Sequence, residues 1–289
     1  MDFYLTALLQ GLCFSAIALG IYISMKIFNI PDITTDGSYT LGGVVTAVLL
    51  THHLPAFAIL PIVIAVGALA GSITGIIHTK LKINPLLAGI LVMTALRSVN
   101  LILMGRSNIP LINVSSVFSL INISADPNHN NFWILLFFVM IVTLIIGYLL
   151  KTDFGIAMRA TGNSESMIRA LGVNTDRMKI IGLALANALT ATSGYLMTQL
   201  QGFADINMGI GIVIVGLGSV IIAESLINWF KITSVWLSLV LVLSGAVIFQ
   251  MVLAVTLNIG VDANLLQIVT AAFVLLIVSL PRLSFKSSS

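Results

Sequence analysis

Residues 132–150, FWILLFFVMIVTLIIGYLL, carry no charged side chain; KTDFGIAMRATGNSESMIRALGVNTDRMK follows at 151–179 and IIGLALANALTATSGYLMTQL at 180–200. A helical run of about 20 apolar residues matches the ~30 Å hydrocarbon core of a bilayer. The first and third segments are therefore predicted membrane helices, with a charged loop between them. The same pattern extends in both directions. Apolar runs lie at 3–28, 38–51, 55–78, 85–104, 132–150, 180–200, 210–228, 233–256 and 265–281, taken in windows of about 19 residues. The predicted fold class is all-α: a polytopic transmembrane helical bundle of about nine spans, including a short or broken second helix, in a single domain over 1–289.

Composition agrees. The chain is 58% apolar and 8% charged, with a mean hydropathy of +1.12, where soluble domains are roughly a quarter charged. A soluble fold of this size could not hide that much apolar surface. The net charge of +3 does not point to nucleic acid, because the basic residues sit in short gaps between apolar runs and read as topology signals. With the N-terminus outside, Lys26, Lys80, Lys82, Lys151, Arg159, Arg169, Arg177, Lys179, Lys231, Arg282 and Lys286 all fall on the cytoplasmic side, and only Arg106 lies in an outer loop. The expected topology is an odd number of spans, N-terminus outside and C-terminus cytoplasmic. The first run has no basic n-region and is long for a signal peptide, so it is expected to remain as the first membrane helix. Cys13 has no disulfide or metal-ligand partner by spacing.

The second run is short. From Leu41 to Leu54 it rises only about 21 Å as a helix, and Gly42-Gly43 interrupts it. PDITTDGSYTLGG at 31–43 precedes or overlaps it, and these Asp, Thr, Ser and Gly residues need burial in protein or a cavity at membrane depth. Either a broken helix points its N-terminus at a central site, or Asp36 caps an ordinary tilted helix after a short turn.

The loop at 151–179 contains a small predicted helix. Asn163 or Ser164 can cap its start, Glu165 suits the first turn, Arg169 the last, and Gly172 the left-handed closing position. Met167, Ile168 and Leu171 are placed on one apolar ridge with no span to bury it. The ridge lies either on the membrane interface or in a groove of another protein. The small residues of GLALANALTATSG, Gly182 to Gly194, suit close helix packing.

RATGNSESMIRALGVNTDRMK followed by GLALANALTATSGYLMTQLQGFADINMGIGIVIVGLGSVIIAES, with PDITTDGSYTLGG near the start, resembles the permeases of the branched-chain amino acid and ribose type, part of the ABC importers. The resemblance covers most of the chain. It implies a multi-pass inner (plasma) membrane permease forming a homodimeric pore, with cytoplasmic ATPase subunits and an extracytoplasmic substrate-binding protein as partners. ATP would be bound by those partner subunits, leaving this chain without a cofactor. The resemblance also assigns 151–179 as the coupling loop, and gives Ser164, Glu165, Met167, Ile168, Arg169, Leu171 and Gly172 the docking role on the ATPase. The DGSY and QGFADINMG wording is similar to a subgroup linked to aromatic amino acid uptake. The Glu-Ala-Ala loop signature of the other large importer class is absent from the sequence.

No Walker A pattern, zinc-binding pair or Gly-x-Ser-x-Gly elbow occurs, so neither a nucleotide site nor a hydrolytic centre is expected. His52-His53 stand at an outer loop, where adjacent side chains point apart, and His78 and His129 read as interface or loop residues. Arg97 is an intramembrane charge, expected either to meet an anionic substrate group or to snorkel or pair with a carbonyl or carboxylate of a neighbouring helix. Glu224 is read as a structural pair or an interfacial group. Asn100, Asn187, Thr190, Ser193 and Gln199 either line a path or bond between helices. The candidate substrate path comprises Asp36, Ser38, Tyr39, Arg97, Asn100, Gln199 and Met208. The expected function is inward conduction of a small solute, an amino acid for preference, without covalent chemistry. The alternative is an ion-gradient-driven secondary transporter, which would want more membrane carboxylates than Glu224 and Asp36.

Overall fold

Each uncharged run closes into a helix because a backbone in hydrocarbon has no water to bond and must bond to itself. The computed structural model describes residues 2–112, 114–121, 124, 126–261, 265 and 268–276. In chain order the elements are α1 (Asp2–Ile21), continued by a π-helical turn (Tyr22–Ile27), α2 (Thr34–Thr51), α3 (Ala56–Lys80), α4 (Pro85–Met104), β1 (Asn108–Pro110), α5 (Val117–Leu120), α6 (Pro127–Lys151), α7 (Asp153–Asn163), α8 (Glu165–Ala170), α9 (Thr175–Gln201), β2 (Phe203–Asp205), α10 (Ile212–Trp229) and α11 (Val235–Asn258). Residues 268–276 are also helical.

Seven helices among the described residues are long and apolar enough to cross a membrane: Phe3–Ile27, α3, α4, α6, α9, α10 and α11. Seven of the nine predicted runs are thus spans by length and composition. The ninth, 265–281, lies partly outside the described residues, as do Arg282 and Lys286 of the charge pattern. The second forms α2, which is too polar to join the seven and is instead buried along most of its length. Two expectations about α2 are corrected. It begins at Thr34 rather than at the apolar run, so its 18 residues rise about 27 Å, and it continues unbroken through Gly42-Gly43.

Those glycines serve helix contact. A side chain at Gly42 would overlap the Ala191 carbonyl of α9, and one at Gly194 of α9 would overlap the Tyr39 carbonyl of α2. On α3, Gly67, Gly71 and Gly75 repeat every four residues and face Ala191, Leu183 and Ile180 of α9 in the same way. Without a hydrophobic drive between helices in lipid, such close approach is how membrane helices hold one another. Consequently α9 is the central post: it packs against α3, α2 and α1, and its residues from Ala186 to Gln199 are all buried. Its polar groups are satisfied locally or across the core, as where Ser193 Oγ donates to the Cys13 carbonyl (2.6 Å) and Tyr195 Oη to the Ala56 carbonyl (3.0 Å). The outer helices expose apolar residues such as Ile102, Phe137 and Tyr148.

At one end of the bundle, β1 and β2 pair antiparallel, Ile109 opposite Ala204, and tie the end of α4 to the end of α9. The sequence marks this region only as an outer loop carrying Arg106. At the other end, the loop 151–179 holds two helices rather than one, α7 and α8.

Candidate functional site

The chain leaves its π-helical turn at Ile27, and Asn29 takes a left-handed φ of 55° before Pro31 and Asp32 lead into α2. Asp32 is 3% exposed. Its carboxylate accepts from Thr34 N (2.9 Å) and from Asn187 Nδ2 of α9 (2.7 Å), while Ser38 Oγ donates to Asn187 Oδ1 (2.7 Å). Thr34 and Thr74 of α3 share a hydrogen bond of 2.8 Å between hydroxyls. The first turn of α2 is therefore stapled to the middle of α9 and to α3. Asp32 was not singled out by sequence reasoning; its partner lies 155 positions away.

One turn further on, Asp36 turns away from its own helix. Its carboxylate accepts from Gly211 N (3.2 Å) and Val213 N (2.8 Å), the free amides at the start of α10. A carboxylate belongs there, because a helix N-terminus presents unpaired donors and partial positive charge. Asp36 therefore caps α10 from across the bundle, and Gly209 allows the approach: a side chain there would overlap the Asp36 carbonyl and the Thr40 hydroxyl. Two helix starts converge on this point, which fits the half of the sequence reading that pointed a helix N-terminus at a central site.

Beside the junction lies a cavity of about 360 Å³ lined by Asp36, Thr40, Met93, Arg97, Asn100 and Ile210 among others. Met93, Arg97 and Asn100 follow one another at helical spacing along α4. Arg97 donates from Nη2 to Asn207 Oδ1 (3.1 Å), its one hydrogen bond among the described residues; the partner is a side-chain amide in the loop before α10 rather than a group on a neighbouring helix. Asn100 is fully buried, donates from Nδ2 to the Gly37 carbonyl (3.4 Å), and its Oδ1 has no partner among the described residues.

The cavity gathers three of the seven candidate path residues, Asp36, Arg97 and Asn100. The other four lie elsewhere. Ser38 is held by Asn187, and Tyr39 is buried with its ring 6.2 Å from that of Phe14. Gln199 accepts from Val117 N and donates to the Tyr195 carbonyl, fastening the 105–131 loop to α9. Met208 packs its sulfur near Thr198 Oγ1 at 3.9 Å. Thr40, Met93, Ile206 and Ile210 were missed; nothing in an apolar sequence marks which residues face a hollow. Glu224 pairs with Lys26 at 3.0 Å, in line with its structural reading.

The second feature is α8. Ser164 stands at its N-cap but makes no side-chain cap hydrogen bond, and the helix has six residues, fewer than the ten or so expected. Gly172 closes it at φ 86° as predicted, with Gly172 N donating to the Arg169 carbonyl (3.0 Å). The apolar ridge is divided: Met167 and Leu171 are 63% and 69% exposed, whereas Ile168 is 9% exposed and turned inward. Residues four apart share a face, and the next residue lies about 100° around. Glu165 and Arg169 reach towards the start of α9 while staying partly exposed. Glu165 accepts from Lys179 Nζ, Arg169 Nη2 and Thr175 Oγ1, and Arg169 donates to Thr175 and Asp176; Lys80 pairs with Asp176 at 3.5 Å. The hydrogen bond from Lys179, aided by its charge and that of Arg169, holds the Glu165 carboxyl below the usual glutamate range. The network clamps α8 to the first turns of α9 and leaves Met167 and Leu171 as an unpaired apolar pair.

A helical membrane bundle with a largely apolar cavity, carrying Asp36, Arg97 and Asn100 on its wall beside two converging helix starts, is built as a solute permease. The chain belongs to the family described as branched-chain amino acid transport system / permease component, whose model matches residues 3–279. It is 37% identical to the tyrosine transport system permease protein of Clostridioides difficile (strain R20291), over 95% of this chain and 90% of that one. It is 25% identical to the ribose import permease protein RbsC of Haemophilus influenzae, over 77% of this chain and 68% of that one. It is 29% identical to the probable branched-chain amino acid transport permease protein LivH of Methanocaldococcus jannaschii, over 64% of this chain and 62% of that one. These likenesses support the permease reading and lend nothing to the ion-gradient alternative.

Proposed function

We propose that this protein is the membrane subunit of an ATP-binding cassette importer, conducting an amino acid inward through the pore of a homodimer. Cytoplasmic ATPase subunits bind and hydrolyse the ATP, an extracytoplasmic binding protein delivers the substrate, and this chain performs no covalent chemistry and holds no cofactor. The observation that carries the reading is the exposed pair Met167 and Leu171 on a helix braced to α9 by Glu165, Arg169 and Lys179. An apolar pair held rigidly outside the bundle suits insertion into a groove on a partner. The braced end also concentrates the basic residues, including Lys80, Arg169 and Lys179, which supports a cytoplasmic placement and an N-terminus outside. The tyrosine and branched-chain relatives favour an amino acid over a sugar.

The test is reconstitution in liposomes with the ATPase and binding protein of the same system, following ATP hydrolysis and uptake of amino acids, sugars and nucleosides. Stimulation by one amino acid, lost on Met167→Asp or Leu171→Asp, is the expected result. Hydrolysis indifferent to this subunit, with the purified chain moving solute alone along an ion gradient, overturns it.

A further inference from the structure

We infer that the cavity between α2, α4 and the start of α10 is a binding site for the zwitterionic head of an α-amino acid, with Arg97 taking the carboxylate and Asn100 Oδ1 the ammonium. This rests on the permease reading and adds to it a checkpoint within the membrane subunit itself, apart from selection by a binding protein. Three observations carry it. Asn100 borders the cavity, fully buried, with an acceptor that nothing among the described residues satisfies and that a turn of its side chain would present to a ligand; a buried unpaired polar atom costs about 1–3 kcal/mol unless something bonds to it. Arg97 lies three residues earlier on the same face of α4, with a single neutral amide as partner. A guanidinium at this depth demands water or an anion. Positions three apart on a helix set their Cβ atoms about 5–6 Å apart, a spacing that lets one ligand's carboxylate and ammonium reach both.

The remaining walls define the rest of the ligand. Asp36 presents a carboxylate whose charge is shared with the amides of α10 and which favours a cation nearby, so the site has one fixed charge of each sign and suits a net-neutral ligand. Met93, Ile206 and Ile210 supply apolar surface, so the side chain accommodated is apolar or aromatic. The volume of about 360 Å³ is near the lower end of small-molecule sites, roughly 300–1,000 Å³. A sugar offers neither a carboxylate for Arg97 nor an ammonium for Asn100.

The test is direct binding to the full-length chain in lipid nanodiscs, using tyrosine, tyramine, which lacks the carboxylate, 3-(4-hydroxyphenyl)propionate, which lacks the ammonium, and ribose. Wild type is expected to prefer tyrosine to each of the other three by at least tenfold. Arg97→Gln removes the preference over tyramine alone, and Asn100→Leu removes the preference over the propionate alone. Arg97 is exposed, so Arg97→Gln is expected to fold; if Asn100→Leu does not, Asn100→Ala, which also removes the acceptor, is used with the same expected outcome. No tyrosine binding, equal binding of tyrosine and tyramine, or losses that do not follow this residue-to-group pairing overturn the assignment. Retained stimulation of the ATPase when the same protein is reconstituted with it shows that the site alone, and not the permease reading, has failed.

Discussion

Replacing Asn187 by Leu, which nearly preserves its shape, removes the link between the middle of α9 and the first turn of α2. Three hydrogen bonds are lost: Nδ2 to Asp32 Oδ2 (2.7 Å), Nδ2 to the Leu183 carbonyl (3.0 Å), and Ser38 Oγ to Oδ1 (2.7 Å). They are unequal. The Leu183 carbonyl keeps its helical backbone bond, and Ser38 can turn to a carbonyl of its own helix, as Thr46 does towards Gly42 at 2.6 Å. Asp32 has no such recourse: at 3% exposure it keeps only Thr34, through its N–H and its hydroxyl, among its carboxylate donors. Hydrogen bonds to charged groups are worth about 1.5–3 kcal/mol, whereas ordinary cross-helix bonds in membranes average about 0.6 kcal/mol. The expected cost of Asn187→Leu is therefore about 2–3 kcal/mol, and that of Ser38→Ala about 0.6 kcal/mol or less, read by equilibrium unfolding in mixed detergent–SDS micelles. The double variant Asp32→Ala with Asn187→Leu should cost less than the sum of its singles by at least about 1 kcal/mol, since contacting partners couple. A cost for Asn187→Leu below about 0.6 kcal/mol, or strict additivity with Asp32→Ala, refutes the view that a buried carboxylate depends on this amide.

On α8, Met167→Asp and Leu171→Asp should leave stability within about 0.5 kcal/mol, as exposed substitutions do, while abolishing stimulation of the ATPase; Ile168→Asp should lower the thermal midpoint, because Ile168 is buried. A valine at Gly42 or a leucine at Gly71 would collide with the Ala191 and Leu183 carbonyls of α9, so both variants should fail to give monodisperse protein in detergent, unlike Gly105→Ala, where the added carbon meets nothing and only the left-handed φ of 62° is strained. The Glu165 carboxyl, held below its ordinary range chiefly by the hydrogen bond from Lys179, stabilises the docked α8 above its unfolded pKa. That stability is lost as pH falls through the lower folded value, so amide exchange over residues 165–176 should stay slow at neutral pH and quicken only in acid. Lys179→Met should move the quickening to higher pH.

The bundle was legible because lipid leaves the sequence little freedom: an uncharged run of span length has to be a helix, and the gaps between runs mark its ends. Where chemistry crosses the bundle, the sequence is silent. Asp36 reads as a cap for the helix it starts, and only the fold shows the carboxylate spent on α10. Arg97 and Asn100 were visible as polar residues in an apolar run, yet their shared hollow depends on the loop at 206–211 folding back against α4. In the loop 151–179, α7 was hidden by Gly155 and Gly162, poor helix residues by propensity. Both are there for packing, since side chains would overlap the Leu149 and Ile27 carbonyls. Ile168 was grouped with Met167 and Leu171 because all three are apolar, though one step along a helix is enough to reverse which side a residue faces.

Under the proposed function, α9 is the part that makes coupling mechanical. Its first turns are ion-paired to α8, Lys80 of α3 joins the same cluster through Asp176, and eleven residues after Asp176, about 17 Å along the axis, Asn187 holds Asp32 and Ser38. Between the two ends α9 is braced against α3 by the close glycine contacts at Ile180, Leu183 and Ala191, and such packed contacts transmit displacement. A partner that moves Met167 and Leu171 therefore acts on the start of α2, and through Asp36 on the amides that begin α10. Both walls of the cavity then respond to one displacement. This is why Asn187→Leu is informative beyond its stability cost: it cuts the line at the middle and leaves α8 and the cavity intact, so ATP hydrolysis should persist while uptake per ATP falls. If uptake per ATP is unchanged, the force reaches the cavity by another route.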